Sequence, residues 1–140
     1  DSANLTFDGT NLTCLGTVAG TNIPTIESGV YTPTLTNITN LDSSAVHPCK
    51  YTRIGSIVTV TGMVDVAPTT TGVVCQIAIT LPIASNLGSY EDLQGVATGY
   101  NPTESGVLYG DTTNDRADLY FLANTNVNHS PSFVFTYKII

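Results

Sequence analysis

Between residues 57 and 66 the chain reads IVTVTGMVDV, with apolar residues at every second position. Successive side chains of a strand point to opposite faces. Val58, Val60, Val64 and Val66 therefore share one face, and Ile57, Thr59, Thr61 and Met63 the other. The same period of two runs through SFVFTYKII (132–140), aligning Phe133, Phe135, Tyr137 and Ile139. So apolar a terminus is expected to be tied into a sheet. Further strands read as GVYTPTLTNI (29–38), 46–54, VVCQIAITL (73–81), LQGVATGY (93–100), GVLYGD (106–111) and RADLYFLA (116–123). Helical periodicity is almost absent, and Gly, Pro and Asn interrupt the pattern at short intervals. That pattern predicts an all-β fold. About eight antiparallel strands imply a β-sandwich of jelly-roll-like form, with a simple sandwich of other connectivity as the alternative. Gly55-Ser56 supplies a type II′ hairpin loop, which takes Gly first.

A second hairpin is written in NLTFDGTNLT (4–13). With Asp8-Gly9 as a two-residue type I′ loop, Phe7 faces Thr10, Leu5 faces Leu12 and Ala3 faces Cys14. Ala3, Leu5, Phe7, Leu12 and Cys14 then form one apolar face, and Asn4, Thr6, Asn11 and Thr13 a polar one. An isolated two-stranded hairpin is marginal in water, so the apolar face needs a cover. GTVAGTNIPTIES (16–28) reads as a joint. The expected organisation is a stem hairpin with connector over residues 1–27 and a head domain over 28–140.

Charged residues are 11% of the chain, against roughly 25% in an average globular protein. Hydrophobic residues are 41%, enough for a packed core. The net charge is −7, and only Lys50, Arg53, Arg116 and Lys138 are basic. Nucleic acid and anionic membrane surfaces are poor partners for such a chain. No apolar run approaches the ~18 residues of a membrane helix, so no membrane insertion is expected. The polar start DSANLTFDG carries no signal-peptide pattern, as in a mature form or an excised fragment. Cys14, Cys49 and Cys75 are odd in number and lack C-x-x-C spacing. They read as free, mostly buried thiols assembled in a reducing cytoplasm, with a Cys49–Cys75 bridge as the alternative.

Catalytic signatures are missing. His47 and His129 each lie near a proline and outside any H-E-x-x-H pair, so both read as structural or surface histidines. There is no G-x-S-x-G elbow, G-x-x-x-x-G-K loop or G-x-G-x-x-G fingerprint. Glu91 and Asp92 are adjacent, so their side chains would diverge in a strand, which does not suit a glycosidase pair. The expectation is a non-enzyme without a cofactor. In GDTTNDRAD (110–118), Asp111, Asp115 and Asp118 offer oxygen ligands of the kind calcium takes. Their spacing departs from an EF-hand, and the competing reading is a turn at Asn114-Asp115 with Arg116 paired to a neighbouring carboxylate. Glu27-Ser-Gly-Val recurs as Glu104-Ser-Gly-Val, too short an echo to mark a repeat. The sequons at Asn4, Asn11, Asn37 and Asn128 fit chance in a chain this rich in Asn and Thr.

Non-catalytic glycan binding asks only for exposed aromatic platforms among short polar groups. SYEDLQGVATGYNPTESGVLYGD (89–111) contains them, and the candidate ligand residues are Tyr90, Glu91, Asp92, Tyr100, Asn101 and Tyr109. The competing reading packs Tyr100 and Tyr109 at strand ends, and the absence of Trp weakens the sugar platform.

LTFDGTNLT resembles the short hairpin units in the stems of bacteriophage tail fibres and tailspikes. The body resembles the β-rich C-terminal domains of phage structural proteins, through GVYTPTLTNITN, YTRIGSIVTVTGMVDV, ITLPIASN, GDTTNDRADLYF and FVFTYKII. The resemblance implies a homotrimeric virion fibre or spike, assembled in the host cytoplasm and exposed outside it. It also implies a host surface glycan or protein as receptor, and other virion proteins joined through the N-terminal side. It assigns no binding residue. A structural head-fibre or decoration protein and a carbohydrate-binding module of a secreted enzyme are the alternatives.

Overall fold

The computed structural model describes residues 5–7, 9, 12–14, 24–99 and 104–140. The described residues form twelve strands: β1 Leu5–Phe7, β2 Leu12–Cys14, β3 Ile26–Tyr31, β4 Leu35–Thr39, β5 Leu41–Val46, β6 Cys49–Ile54, β7 Ile57–Pro68, β8 Val74–Thr80, β9 Leu93–Thr98, β10 Ser105–Asp111, β11 Arg116–Leu122 and β12 Ser132–Lys138. One 3₁₀ turn, Tyr90–Asp92, precedes β9.

β1 and β2 pair antiparallel as a small sheet of their own, with Leu5 opposite Cys14, Thr6 opposite Thr13 and Phe7 opposite Leu12. The register is shifted by two from the expected one. Residues 8–11 therefore connect the strands in place of Asp8-Gly9 alone, and Gly9 has φ 94°. The side chains of this hairpin, Ala3 and most of the joint lie outside the described residues.

The other ten strands form one antiparallel sheet in the order β3-β6-β7-β12-β9-β10-β11-β8-β4, with β5 on β7. The all-β, antiparallel expectation holds, but the strands number ten and pair as one curled half-barrel. Two differences account for the count. The expected strand 29–38 is broken at Pro33 into β3 and β4, which sit at opposite ends of the strand order. The polar segment LDSSAV, which lacks apolar alternation, also forms a strand and pairs with the far half of the twelve-residue β7. β5 and β6 lie end to end along β7, so its two halves have different neighbours on the same side. Curling brings β4 back against β5, where Ser44 Oγ donates to Asn37 Oδ1 at 2.6 Å.

The inner face is the alternating apolar set read from the sequence. Val58, Val60, Val64 and Val66 are buried, as are Phe133, Phe135 and Tyr137. Ile77, Ile79, Leu93, Leu108, Leu119 and Phe121 complete the core. Each large side chain contributes roughly 1.5–3 kcal/mol on full burial. β12 lies between β7 and β9, so the apolar C-terminal strand is central in the sheet. Ile54 stands opposite Ile57, which leaves Gly55-Ser56 as the two-residue loop expected there, with Gly55 at φ 63°. Cys49 and Cys75 are buried free thiols, and burial raises the pKa of each.

Candidate functional site

The 3₁₀ turn is fixed by its own polar side chains. Ser89 Oγ accepts from the Glu91 amide at 3.3 Å, and the Asp92 carboxylate accepts from the amides of Gly88 at 2.9 Å and Ser89 at 2.8 Å. This reciprocal cap satisfies donors that a helical turn leaves open. Asp92 is thereby occupied in holding the turn. The exposed Glu91 accepts from Ser89 Oγ at 3.0 Å. The turn is also tied to the β10–β11 connection, because Asp115 Oδ1 accepts from the Leu87 amide at 2.8 Å.

This scaffold presents Tyr90, which is 59% exposed, against Tyr109 of β10, which is 39% exposed. Their rings meet edge to face, 6.0 Å apart at 83°, a favoured aromatic geometry. Tyr109 lies opposite Asp118 of β11. Asp118 is buried, and its Oδ2 accepts from Gln76 Nε2 at 2.7 Å, while Tyr120 Oη lies 3.4 Å from the same oxygen. Asp118 Oδ1 has no hydrogen-bond partner, with Arg116 Nε 3.9 Å away. Burial raises the Asp118 pKa, outweighing the hydrogen bond from Gln76.

Asp111 stands in the opposite situation. Burial pushes its pKa up, but hydrogen bonds from Asn114, Arg116 and two backbone amides outweigh this and hold it below the ordinary value. Its donors are the amides of Thr113 and Asn114, Asn114 Nδ2 at 2.9 Å and Arg116 Nε at 2.7 Å. Residues 112–115 form the loop, with Asp115 at φ 52°. This is the tight turn with an Arg116 ion pair that competed with calcium in the sequence. The oxygens of Asp111 are taken up by their own loop, and Asp118 is turned toward Gln76. Among the described residues no group of three acidic, His or Cys side chains is placed to hold a metal ion.

The structure therefore gathers Tyr90, Glu91, Asp92, Tyr109, Asp111, Asp115 and Asp118 at one end of the β9–β10–β11 sheet. Tyr100 and Asn101 lie outside the described residues. Comparison with family models, with curated protein sequences and with solved structures gives no match for this chain. The reading therefore rests on the residues themselves.

Two polar clusters were not foreseen. His129 Nδ1 meets Glu104 Oε2 at 2.7 Å with both side chains buried. His129 Nε2 lies 3.2 Å from both Oγ1 and the carbonyl of Thr125. Asp65 joins His47 Nε2 at 2.8 Å and Ser130 Oγ at 2.6 Å. There the carboxylate stands between the other two groups. A serine nucleophile needs the histidine in that middle place, so the cluster is a tie between β5, β7 and the approach to β12. Glu27 accepts from Tyr51 Oη at 2.7 Å, and the Tyr51 ring lies where a side chain at Gly29 would be. Glu104 and Gly106 likewise stand together on the wall of the His129 cavity.

The two aspartates predict opposite pH effects. The stability that Asp111 contributes is complete above the ordinary carboxylate pKa of about 4. It is lost as pH falls through the lower folded value. Asp118, whose folded pKa is raised, costs stability when ionised, a cost that begins to shrink as pH falls through that value and is gone below the ordinary one. Asp111→Ala should lose about 1–3 kcal/mol at pH 7, the range for hydrogen bonds to a charged group. Asp118→Asn keeps an acceptor for Gln76 and should melt at or above the wild-type temperature. Thermal melts at pH 7 and pH 3.5 check both.

Proposed function

We propose that this chain is the receptor-binding tip of a bacteriophage tail fibre or spike. It acts as a homotrimer on the virion and takes up a host surface glycan without catalysis. The observation that most supports this reading is the Tyr90–Tyr109 pair, two outward aromatic rings mounted on a capped turn and a strand. Rings held in this way contact a sugar face with little entropy to lose. Binding groups on connections over a stiff β scaffold are the usual arrangement for recognition. The neighbouring carboxylates favour neutral or amino sugars over anionic ones. Hydrogen bonding that ties Asp92 and Asp111 into their own turns and Asp115 to the Leu87 amide favours a binding role over acid–base chemistry. In this reading the half-barrel is a jelly-roll-like head, the β1–β2 hairpin belongs to the stem, and further virion proteins attach on that side. Three sites on one tip gain about 10²–10⁴ in avidity when all three can reach the surface together. An uncharged band of threonine and valine across the outer face of the sheet favours a second reading, a structural head-fibre or decoration protein with no receptor.

The test is binding to a panel of immobilised neutral and amino oligosaccharides. Tyr90→Ala and Tyr109→Ala should each weaken single-site binding roughly 5- to 30-fold, the factor for 1–2 kcal/mol. Both should melt near the wild-type temperature, because both rings are partly in solvent. Binding by both variants at wild-type strength contradicts this placement, and no binding by the wild-type protein favours the structural reading.

A further inference from the structure

The register places an uncharged band across the outer face of the sheet. One row runs Thr52, Thr59, Thr136 and Gln94, and the next runs Thr61, Val134, Val96 and Val107. Val134, Val96 and Val107 are exposed cross-strand neighbours at the centre of β12, β9 and β10. A shallow depression lies on each side of the Val96–Val107 ridge. One is lined by Gln94, Val134 and Thr136, the other by Val74, Tyr120 and Leu122. A second exposed apolar group, Ile26, Ile54 and Ile57, spans β3, β6 and β7. The cross-strand partner of Ile57 is Lys138, and Lys50 shares the outer face of β6. Neither lysine makes an ion pair among the described residues.

We infer that these two patches are the two halves of a contact between copies of this chain, the isoleucine flank of one copy covering the valine band of the next. The inference rests on the homotrimer proposed above and gives it a surface. Charge complementarity favours a second copy as the partner. At net charge −7, two copies repel wherever their carboxylates meet. The valine band carries no charge, so contact there brings no carboxylates together. Beyond the band lie Asp118, Asp111 and Glu91. A lysine-bearing flank laid on the band brings Lys50 and Lys138 toward those acids. Contact between two different patches is heterologous, and it closes into a ring when the rotation between copies permits. Contiguous exposed apolar area on a soluble protein commonly marks such an interface.

The test uses the full chain in solution. Light scattering should give about three times the 14.7 kDa chain mass. Val96→Glu and Ile57→Glu should each reduce this to the single-chain mass with an unchanged β circular-dichroism spectrum. Val127→Glu, at an exposed residue away from both patches, should leave the trimer intact. If Val96→Glu fails to fold, zero-length carbodiimide cross-linking of the wild type decides. Intermolecular links should join Lys50 or Lys138 to Glu91, Asp92, Asp111 or Asp118. A wild-type trimer that survives both glutamate variants, or that cross-links only elsewhere, overturns the interface and leaves the trimer standing. A monomeric wild type overturns both, while glycan binding remains a separate readout of the site.

Discussion

Glu104→Ala is expected to lose about 3 kcal/mol of folding stability, the upper end of the cost of leaving a buried hydrogen-bonding partner unsatisfied. The carboxylate of Glu104 and the ring of His129 are both almost fully withdrawn from water and meet at 2.7 Å. Without the carboxylate, His129 Nδ1 loses its partner and faces the small cavity that Glu104 itself lines, now enlarged by the missing side chain. The pair also joins two distant parts of the chain. Glu104 stands at the start of β10, while His129 exchanges backbone hydrogen bonds of 2.9 Å with Val66 of β7. Glu104→Gln keeps the shape and an acceptor, so it should cost clearly less than Glu104→Ala. Urea unfolding of the three proteins at one protein concentration checks the order. A loss below about 1 kcal/mol for Glu104→Ala, where ordinary surface substitutions lie, contradicts the role given to the pair.

Gly95→Val should be comparably severe, about 3 kcal/mol or more, at the upper end of overpacking costs. Gly95 pairs with Phe135 across β9 and β12. A Cβ built there would lie 2.4 Å from the Val134 carbonyl oxygen and 2.5 Å from Phe135 Cβ. Backbone must shift to admit it, in the strand pair that joins the two halves of the half-barrel. Gly72→Ala makes a useful contrast. No atom stands within 4 Å of its added Cβ, so any cost there comes from its φ of 76° and not from packing. The prediction is a much lower urea midpoint for Gly95→Val than for Gly72→Ala, and equal midpoints contradict it.

The central strands were legible because burial on one face writes itself as alternation. Val58, Val60, Val64 and Val66, and Phe133, Phe135 and Tyr137, appear in the core as the period of two requires. The two-residue loop at Gly55-Ser56 and the Asp111–Arg116 turn were legible because turn geometry restricts residue type locally. β5 was not legible, since Leu41–Val46 lies at the rim of the sheet and has few buried positions to mark it. The hairpin register was missed because Asp-Gly favours a two-residue loop but does not compel one. Leu5 keeps an apolar cross-strand partner in either register, and the observed one gives Phe7 Leu12 in place of Thr10. The Glu104–His129 pair was beyond reach for another reason. It joins residues 25 apart, and a strand pattern says which face a residue takes but not which strand lies beside it. The same limit applies to Tyr90 and Tyr109. Their presence was plain in the sequence, while their edge-to-face contact joins a turn and a strand 19 residues apart.

The most direct test of the proposed role is electron microscopy of phage particles that carry this chain, labelled with a gold-conjugated antibody raised against residues 24–140. The account predicts gold at the outer ends of tail appendages, with loss of adsorption to host cells when antibody is added first. Gold distributed over the capsid with adsorption unchanged, or no gold on the particles at all, would contradict it.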